Sequence, residues 1–387
     1  MRRKTVGWLT LSCVFLLLLF CLPISADETV ALSYDFQTMP QGYGEMAEAL
    51  PEELQDSLSD ELFSQDAEVA GTALGELLQP NNLFATLSEQ LSLGIREAVW
   101  LLARLCGLLL LAAVLTRLQE SIGSDALSGA VRFCTTTAIF SAIIALQWEH
   151  LQAVGVFFER LISLMSATIP VMGTLWAMGG NVATAAAGTG TLYVFLTFCE
   201  NLCAKTILPI VCFCTALALC NTLSGDSGLK GIASSVKKIY TFTLGLLMTL
   251  LLSCLSSQTT LSAAADTTAA RTAKLVSSTV IPIVGGSVGE TLRTVGAGVQ
   301  YLKSVAGIGG IVLLGYLVLP TLISLIFTRL TFLLSVGIAD LLGCDRESRL
   351  LSELGSIYGC ILAVVAMSSV MFVLAMVIFI KTVVAVG

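Results

Sequence analysis

Between Tyr301 and Pro320 the chain reads YLKSVAGIGGIVLLGYLVLP, with Lys303 as its one charge, and the apolar run continues to residue 342. About 20 predominantly apolar residues are enough to cross a bilayer as a helix, so this stretch reads as membrane-spanning. Gly307, Gly309 and Gly310 inside it read as sites of close helix packing. The run 305–342 is longer than one crossing and contains Pro320. Proline removes a backbone donor and kinks a helix, so the run divides there into two shorter helices. The run 188–223, with Pro209, divides in the same way into 188–204 and 206–223. Further spans are expected at 98–116, 132–148, 161–180, 239–256 and 357–380.

Composition agrees. Hydrophobic residues make up 56% of the 387 and charged residues 12%, with mean hydropathy +0.89. Soluble domains carry about 25% charge. The fold class expected is all-α: a polytopic membrane protein with a small exported helical N-terminal domain and an internal repeat containing proline-broken helices.

Charge is concentrated in one place. Asp27–Glu97 holds fifteen acidic residues against one basic, Arg96, which accounts for the net charge of −7. No basic patch of a nucleic-acid-binding kind is present. Residues 1–26 have a basic start (Arg2, Arg3, Lys4), an apolar stretch and a small residue, Ala26, before Asp27, the order of a secretory signal. Whether cleaved as a signal or retained as an anchor, it would export the segment from Asp27 onward. Segment 27–97 has no cysteine and hence no disulfide framework. Leu50, Leu54, Leu58 and Leu62 recur every fourth residue, and Leu83, Leu87, Leu91 and Ile95 form a second stripe that Asn81 or Asn82 would cap.

The expected organisation is therefore a signal at 1–26, an acidic domain at 27–97, and a first span with its cytoplasmic loop at 98–130. Membrane halves come next at 131–228 and 229–343, then a loop and terminal span at 344–387. With 27–97 outside, the positive-inside tendency places Arg117 and Arg132, the loop bearing Lys230, Lys237 and Lys238, and the loop bearing Arg346 and Arg349 in the cytoplasm.

The two halves share a phrase. SATIPVMG at Ser166–Gly173 returns as STVIPIVG at Ser278–Gly285, and Pro209 and Pro320 follow Pro170 and Pro282 by 39 and 38 residues. This reads as a parallel duplication, unlike inverted-repeat transporters. Pro170, Pro209, Pro282 and Pro320, with Gly285 and Gly286, are the candidate helix breaks that would line a path. Charges in apolar sequence cost about 2.5–3.5 kcal/mol at a helix centre on insertion scales, which singles out Arg104, Glu200, Lys205, Glu290, Arg293 and Lys303. Glu290 and Arg293 have the spacing to pair on one helix face.

No catalytic or cofactor pattern is present: no GxSxG, HExxH or Walker A lysine, and one histidine, His150, in the whole chain. The cluster Cys199, Cys203, Cys212, Cys214 and Cys220 lies in apolar sequence and reads as small packing residues. No enzyme activity, metal or cofactor is expected.

Taken together, AKLVSSTVIPIVGGSVGETL (273–292), YLKSVAGIGGIVLLGYLVLP (301–320), CDRESRLLSELG (344–355), IPVMGTLWAMGG (169–180) and ILPIVCFCTALALCNTLS (207–224) resemble the stage III sporulation protein AE family of endospore-forming bacteria. The resemblance implies a polytopic protein of the mother-cell membrane facing the engulfed forespore. It implies membership of a secretion-like trans-envelope assembly with an ATPase, ring-forming membrane proteins and a forespore-membrane partner, needed for endospore development. Beyond these the chain would meet only membrane lipid. Pro282, Gly285, Gly286 and Lys303 match the family's motifs without an assigned chemical role. The alternative expectation is a self-contained permease for a small solute.

Overall fold

The computed structural model describes residues 38–40, 42–48, 58, 60–120, 125–224, 231–247, 249–250, 253, 257 and 285–381. The signal, Leu50, Leu54, Lys230 and Pro282 lie outside the described residues. In chain order the elements are α1 (Glu45–Glu48), a single 3-10 turn (Asp60–Phe63), α2 (Ala67–Leu77), α3 (Pro80–Glu120), α4 (Asp125–Met178), α5 (Val182–Ser224), the helical residues 231–247 (α6), α7 (Gly285–Leu341) and α8 (Asp345–Lys381). Five of these (α3, α4, α5, α7 and α8) are long and apolar enough to cross a membrane. The described residues thus form an all-α fold of a membrane protein.

The N-terminal residues pack as a small unit. Asp66 caps α2 by accepting a hydrogen bond from the Glu68 amide at 2.9 Å. Leu58 and Leu62 are buried together with Met39, Tyr43, Met46, Ala70 and Leu74, but Leu58 sits in a bend and Leu62 in the 3-10 turn rather than on one α-helical stripe. α3 starts differently from expectation. Pro80 takes the first helical position, where its missing N–H costs nothing, and the Asn82 side chain instead donates back to the Glu76 carbonyl at 2.7 Å. The stripe above it does not close a core: Leu91 and Ile95 are 44% and 46% exposed. α3 also runs unbroken across position 97/98, so the acidic segment and the first span share one helix.

The expected divisions of the apolar runs are corrected. α4 carries 132–148 and 161–180 as one helix up to Met178, α5 passes through Pro209, and α7 passes through Pro320. The expected loops around Lys237 and Arg346 are helical as well, in α6 and α8. The reason is local. A helix stops where a residue takes the left-handed conformation and the last carbonyls find new donors, and neither the 149–160 segment nor the prolines provide that.

Two glycines do provide it. At the end of α4, Gly180 (φ +77) lets its own amide reach Ala177 O and the Asn181 amide reach Trp176 O. At the end of α7, Gly343 (φ +71) repeats the pattern, with the Cys344 amide on Ala339 O and its own amide on Asp340 O. These turns fold α4 onto α5 and α7 onto α8 as tight hairpins. The repeated phrase is not treated alike in the two halves: residues 112 positions beyond the Gly179–Asn181 turn lie inside α7.

The α7–α8 hairpin is central. In the most apolar windows of these two helices, 56% and 61% of residues are buried, against 22% for α3 and 18% for α4. Glycines set the close approaches. A Cβ on Gly94 of α3 would lie 2.6 Å from Ile323 and 2.9 Å from Phe327 of α7. Gly307 and Gly310 of α7 lie directly under Ile380 and Met376 of α8, and Gly309 under Tyr43. The packing expected of Gly307–Gly310 is therefore present, against both α8 and the N-terminal unit.

Candidate functional site

At one end of the bundle the N-terminal unit sits on the membrane helices like a cap. Tyr43, 2% exposed, approaches α7 so closely that a Cβ on Gly309 would be 3.0 Å from its hydroxyl. Met46 lies beside Gly310 and Val171 beside Gly42. On the flank, the Tyr301 side chain crosses Gly71, and its hydroxyl reaches the Ala67 carbonyl at 3.5 Å. Burial raises the Tyr43 phenol to about 12, because the phenolate would lose its water there.

On α7, between the cap contacts at Tyr301 and Gly309, lies Lys303, the one charge of the Tyr301–Pro320 stretch, 0% exposed. Its ammonium stands 5.5 Å from the centroid of the Phe379 ring, a cation–π distance. Phe379 meets Trp176 edge-on, with centroids 5.3 Å apart. Trp176 is also fully buried, and its indole N–H has no partner among the described residues. Gln300 ties the same corner by donating to Ile380 O at 3.3 Å. α7, α8 and the end of α4 thus hold one cation in an aromatic setting.

The other end is built from matched polar groups. Lys237 of α6 pairs with Glu353 of α8 at 3.5 Å and donates to Ser356 at 2.8 Å. One turn on, Thr241 and Cys360 meet at 3.7 Å. Tyr358 donates to Gln147 of α4 at 2.6 Å in the buried interior. Tyr240 and Thr206 join α6 to α5 at 2.8 Å.

Among the residues singled out from sequence whose side chains are described, only Lys303 enters the enclosed site. Arg104 and Lys205 lie on the outer surface, as do Pro170 and Pro209, and Pro320 is half-buried. Gly285 and Gly286 begin α7. Glu290 and Arg293 lie in its first turns and Glu200 within α5, with side chains outside the described residues. Trp176, Phe379, Tyr43, Gln147 and Glu353 were not singled out. Each depends on a partner more than 100 residues away, which periodicity does not register. Among the described residues, no group of three or more His, Cys, Asp or Glu is placed to hold a metal ion.

Comparison with known proteins places this architecture. The family profile described as Stage III sporulation protein AE (spore_III_AE) matches residues 72–383, from within α2 through the end of α8. A curated relative, Stage III sporulation protein AE of Bacillus subtilis (strain 168), is 23% identical over 222 residues, which is 57% of this chain. The matched region spans 56% of that relative's length. No solved structure matches.

Proposed function

This chain belongs to the stage III sporulation protein AE family, a sporulation-related membrane protein family, and from that premise we propose that it works as an integral subunit of a secretion-like trans-envelope channel assembly. In this reading it sits in the mother-cell membrane facing the forespore and acts through assembly rather than covalent chemistry. Its partners are an ATPase, ring-forming membrane proteins and a forespore-membrane protein. The cap is exported, and the end bearing Lys237, Arg346 and Arg349 is cytoplasmic.

The observation that carries the proposal is the contrast between inside and outside. Trp176, Phe158, Phe332, Tyr358, Phe372 and Phe379, each buried to about 2% exposure or less, fill the bundle interior, while α3 and α4 present long apolar outer faces. Helices of 41 and 54 residues are about 60 and 80 Å long. That is well beyond the ~30 Å hydrocarbon core, so lipid alone does not cover them. A chain with a filled centre and surplus outer surface is suited to building a path together with others.

The test is purification from sporulating cells in mild detergent, with identification of stoichiometric companions. Recovery with the ATPase and ring proteins is the expected result. Recovery without them, with a thermal stability shift on adding small solutes, would overturn the proposal in favour of a self-contained permease.

A further inference from the structure

Two outer faces of the bundle complement each other, and we infer that they meet between copies of this chain. The first is on α3: Trp100, Ala103, Arg104, Gly107, Leu111 and Val114 recur at helical spacing, and all are exposed. Arg104 lies in the most apolar part of the helix and has no ion pair among the described residues. Gly107 has nothing within 4 Å of where its Cβ would be. Thirteen residues earlier on the same helix, Gly94 is in tight contact with α7. Glycine costs a helix interior about 1 kcal/mol relative to alanine, and at Gly107 this chain gains no packing in return.

The second face is on α7: Leu330, Leu333, Leu334, Gly337, Asp340 and Leu341 are exposed, and Leu341 is 88% so. Gly337 likewise has open space over it, and Asp340 has no ion pair among the described residues. The charge is opposite to that of the first face, and in both cases it stands three residues from the glycine.

The levels match. α3 and α7 run in the same direction: the Thr331 hydroxyl reaches the Ala98 carbonyl, and Gly343 lies beside Arg117. Between these two points Gly107 falls level with about residue 337 and Arg104 with about residue 335, leaving Arg104 and Asp340 roughly 8 Å apart along the axis. An arginine side chain spans that distance. Copies in one membrane share their orientation, so equal level within a chain is equal depth between chains. Small residues let membrane helices approach, and a polar pair then fixes the match. The occupant of the α3 face is therefore α7 of a second copy, with Gly107 against Gly337 and Arg104 paired to Asp340. Each copy carries both faces, so the contact closes as a two-fold pair or a ring about the membrane normal.

The experiment is charge exchange in the full-length protein, purified from membranes in mild detergent and weighed by light scattering. The wild type is expected as a multiple of the chain. Arg104→Asp and, as a second variant, Gly107→Leu are each expected to weaken self-association about tenfold. Arg104→Asp combined with Asp340→Arg is expected to restore it. A wild type that weighs as one chain, or a double exchange that fails to restore a weakened single variant, would overturn the inference. So would Arg104→Asp leaving the mass unchanged, or cross-linking from Ala103 that yields adducts only with lipid or with another protein. Helix content and thermal unfolding, followed alongside, separate lost contact from lost fold. Self-association and recovery of partner proteins are scored separately, so the failure of this contact and the failure of the channel-subunit reading are told apart.

Discussion

The two ends of the bundle handle a lysine in different ways. At the other end, Lys237 meets a carboxylate and a hydroxyl, Glu353 and Ser356, in an arrangement made between α6 and α8. At the capped end, Lys303 stands over an aromatic ring, and the same helix carries a separate unit, the described residues between 38 and 78, laid on through Tyr43, Met46 and Gly71. One end is closed by polar pairing and the other by a lid of side chains. The first is held by α6 against α8. The second depends on an acidic segment outside the spans keeping its place. If the ends are built on different physics, they will fail under different insults.

Aromatic packing at the capped end gives the largest expected effect. Trp176→Ala removes a fully buried indole that braces Phe379, and truncations of this kind cost about 3–5 kcal/mol. Phe133→Ala, at a 56% exposed position on α4, is expected to stay within about 0.5 kcal/mol. Thermal unfolding in mild detergent compares the two. Equal shifts would break the distinction between inside and outside on which the capped site rests.

Alkali should open the cap before it touches the other end. The Tyr43 phenol rises from 10.0 to about 12 on burial. Its folded form therefore holds the proton where the unfolded form has lost it. The contribution is complete below pH 10 and is lost as pH climbs from 10 to 12, on the order of 2–3 kcal/mol. Limited proteolysis of residues 38–78 across that range should show the release, and Tyr43→Phe should weaken the pH dependence. A cap equally protected at pH 9 and pH 12 in the wild type would contradict this.

Breaking the ion pair probes the other end. Glu353→Ala leaves Lys237 facing Ser356 without its carboxylate. Both side chains retain 11% exposure, so the cost is expected at about 1–3 kcal/mol, below that of a fully buried pair. The loss should appear as unfolding at lower temperature with proteolysis of the cap unchanged. Cap release in this variant would mean that the two ends are coupled.

The range of each interaction sets how much of this was legible in the sequence. Composition and apolar runs depend only on neighbours, so the all-α membrane class and the packing role of Gly307–Gly310 could be read directly. Lys303 was visible because a charge in apolar sequence stands out wherever it points. Helix boundaries were not legible in the same way. Pro170, Pro209 and Pro320 looked like breaks, yet a long helix held by its neighbours tolerates one missing donor. The actual stop at Gly180 is marked by a positive φ, and a glycine in the sequence does not announce whether its position needs one. Whether a helix face turns inward was not legible either. Arg104 and Lys303 satisfy the same sequence criterion and lie on opposite sides of the packing, because that depends on α7 and α8 meeting α4 and the cap.

The smallest effect is the most discriminating test of how the other end is held. The Tyr358 hydroxyl donates to Gln147 Oε1 at 2.6 Å, while Gln147 Nε2 is buried without a partner among the described residues. Tyr358→Phe keeps the ring against Phe332, 5.3 Å away, and removes only the donor. Gln147 is then left with both amide atoms unsatisfied, at an expected cost of about 1–2 kcal/mol. Gln147→Leu removes both buried polar atoms together but strands the Tyr358 hydroxyl. If the pair acts as a unit, the double variant will be more stable than the sum of the two losses, because no polar group remains to be satisfied. Strict additivity would mean that the hydrogen bond contributes nothing net, and that shape alone holds α8 against α4 at this end, as it does beneath the cap.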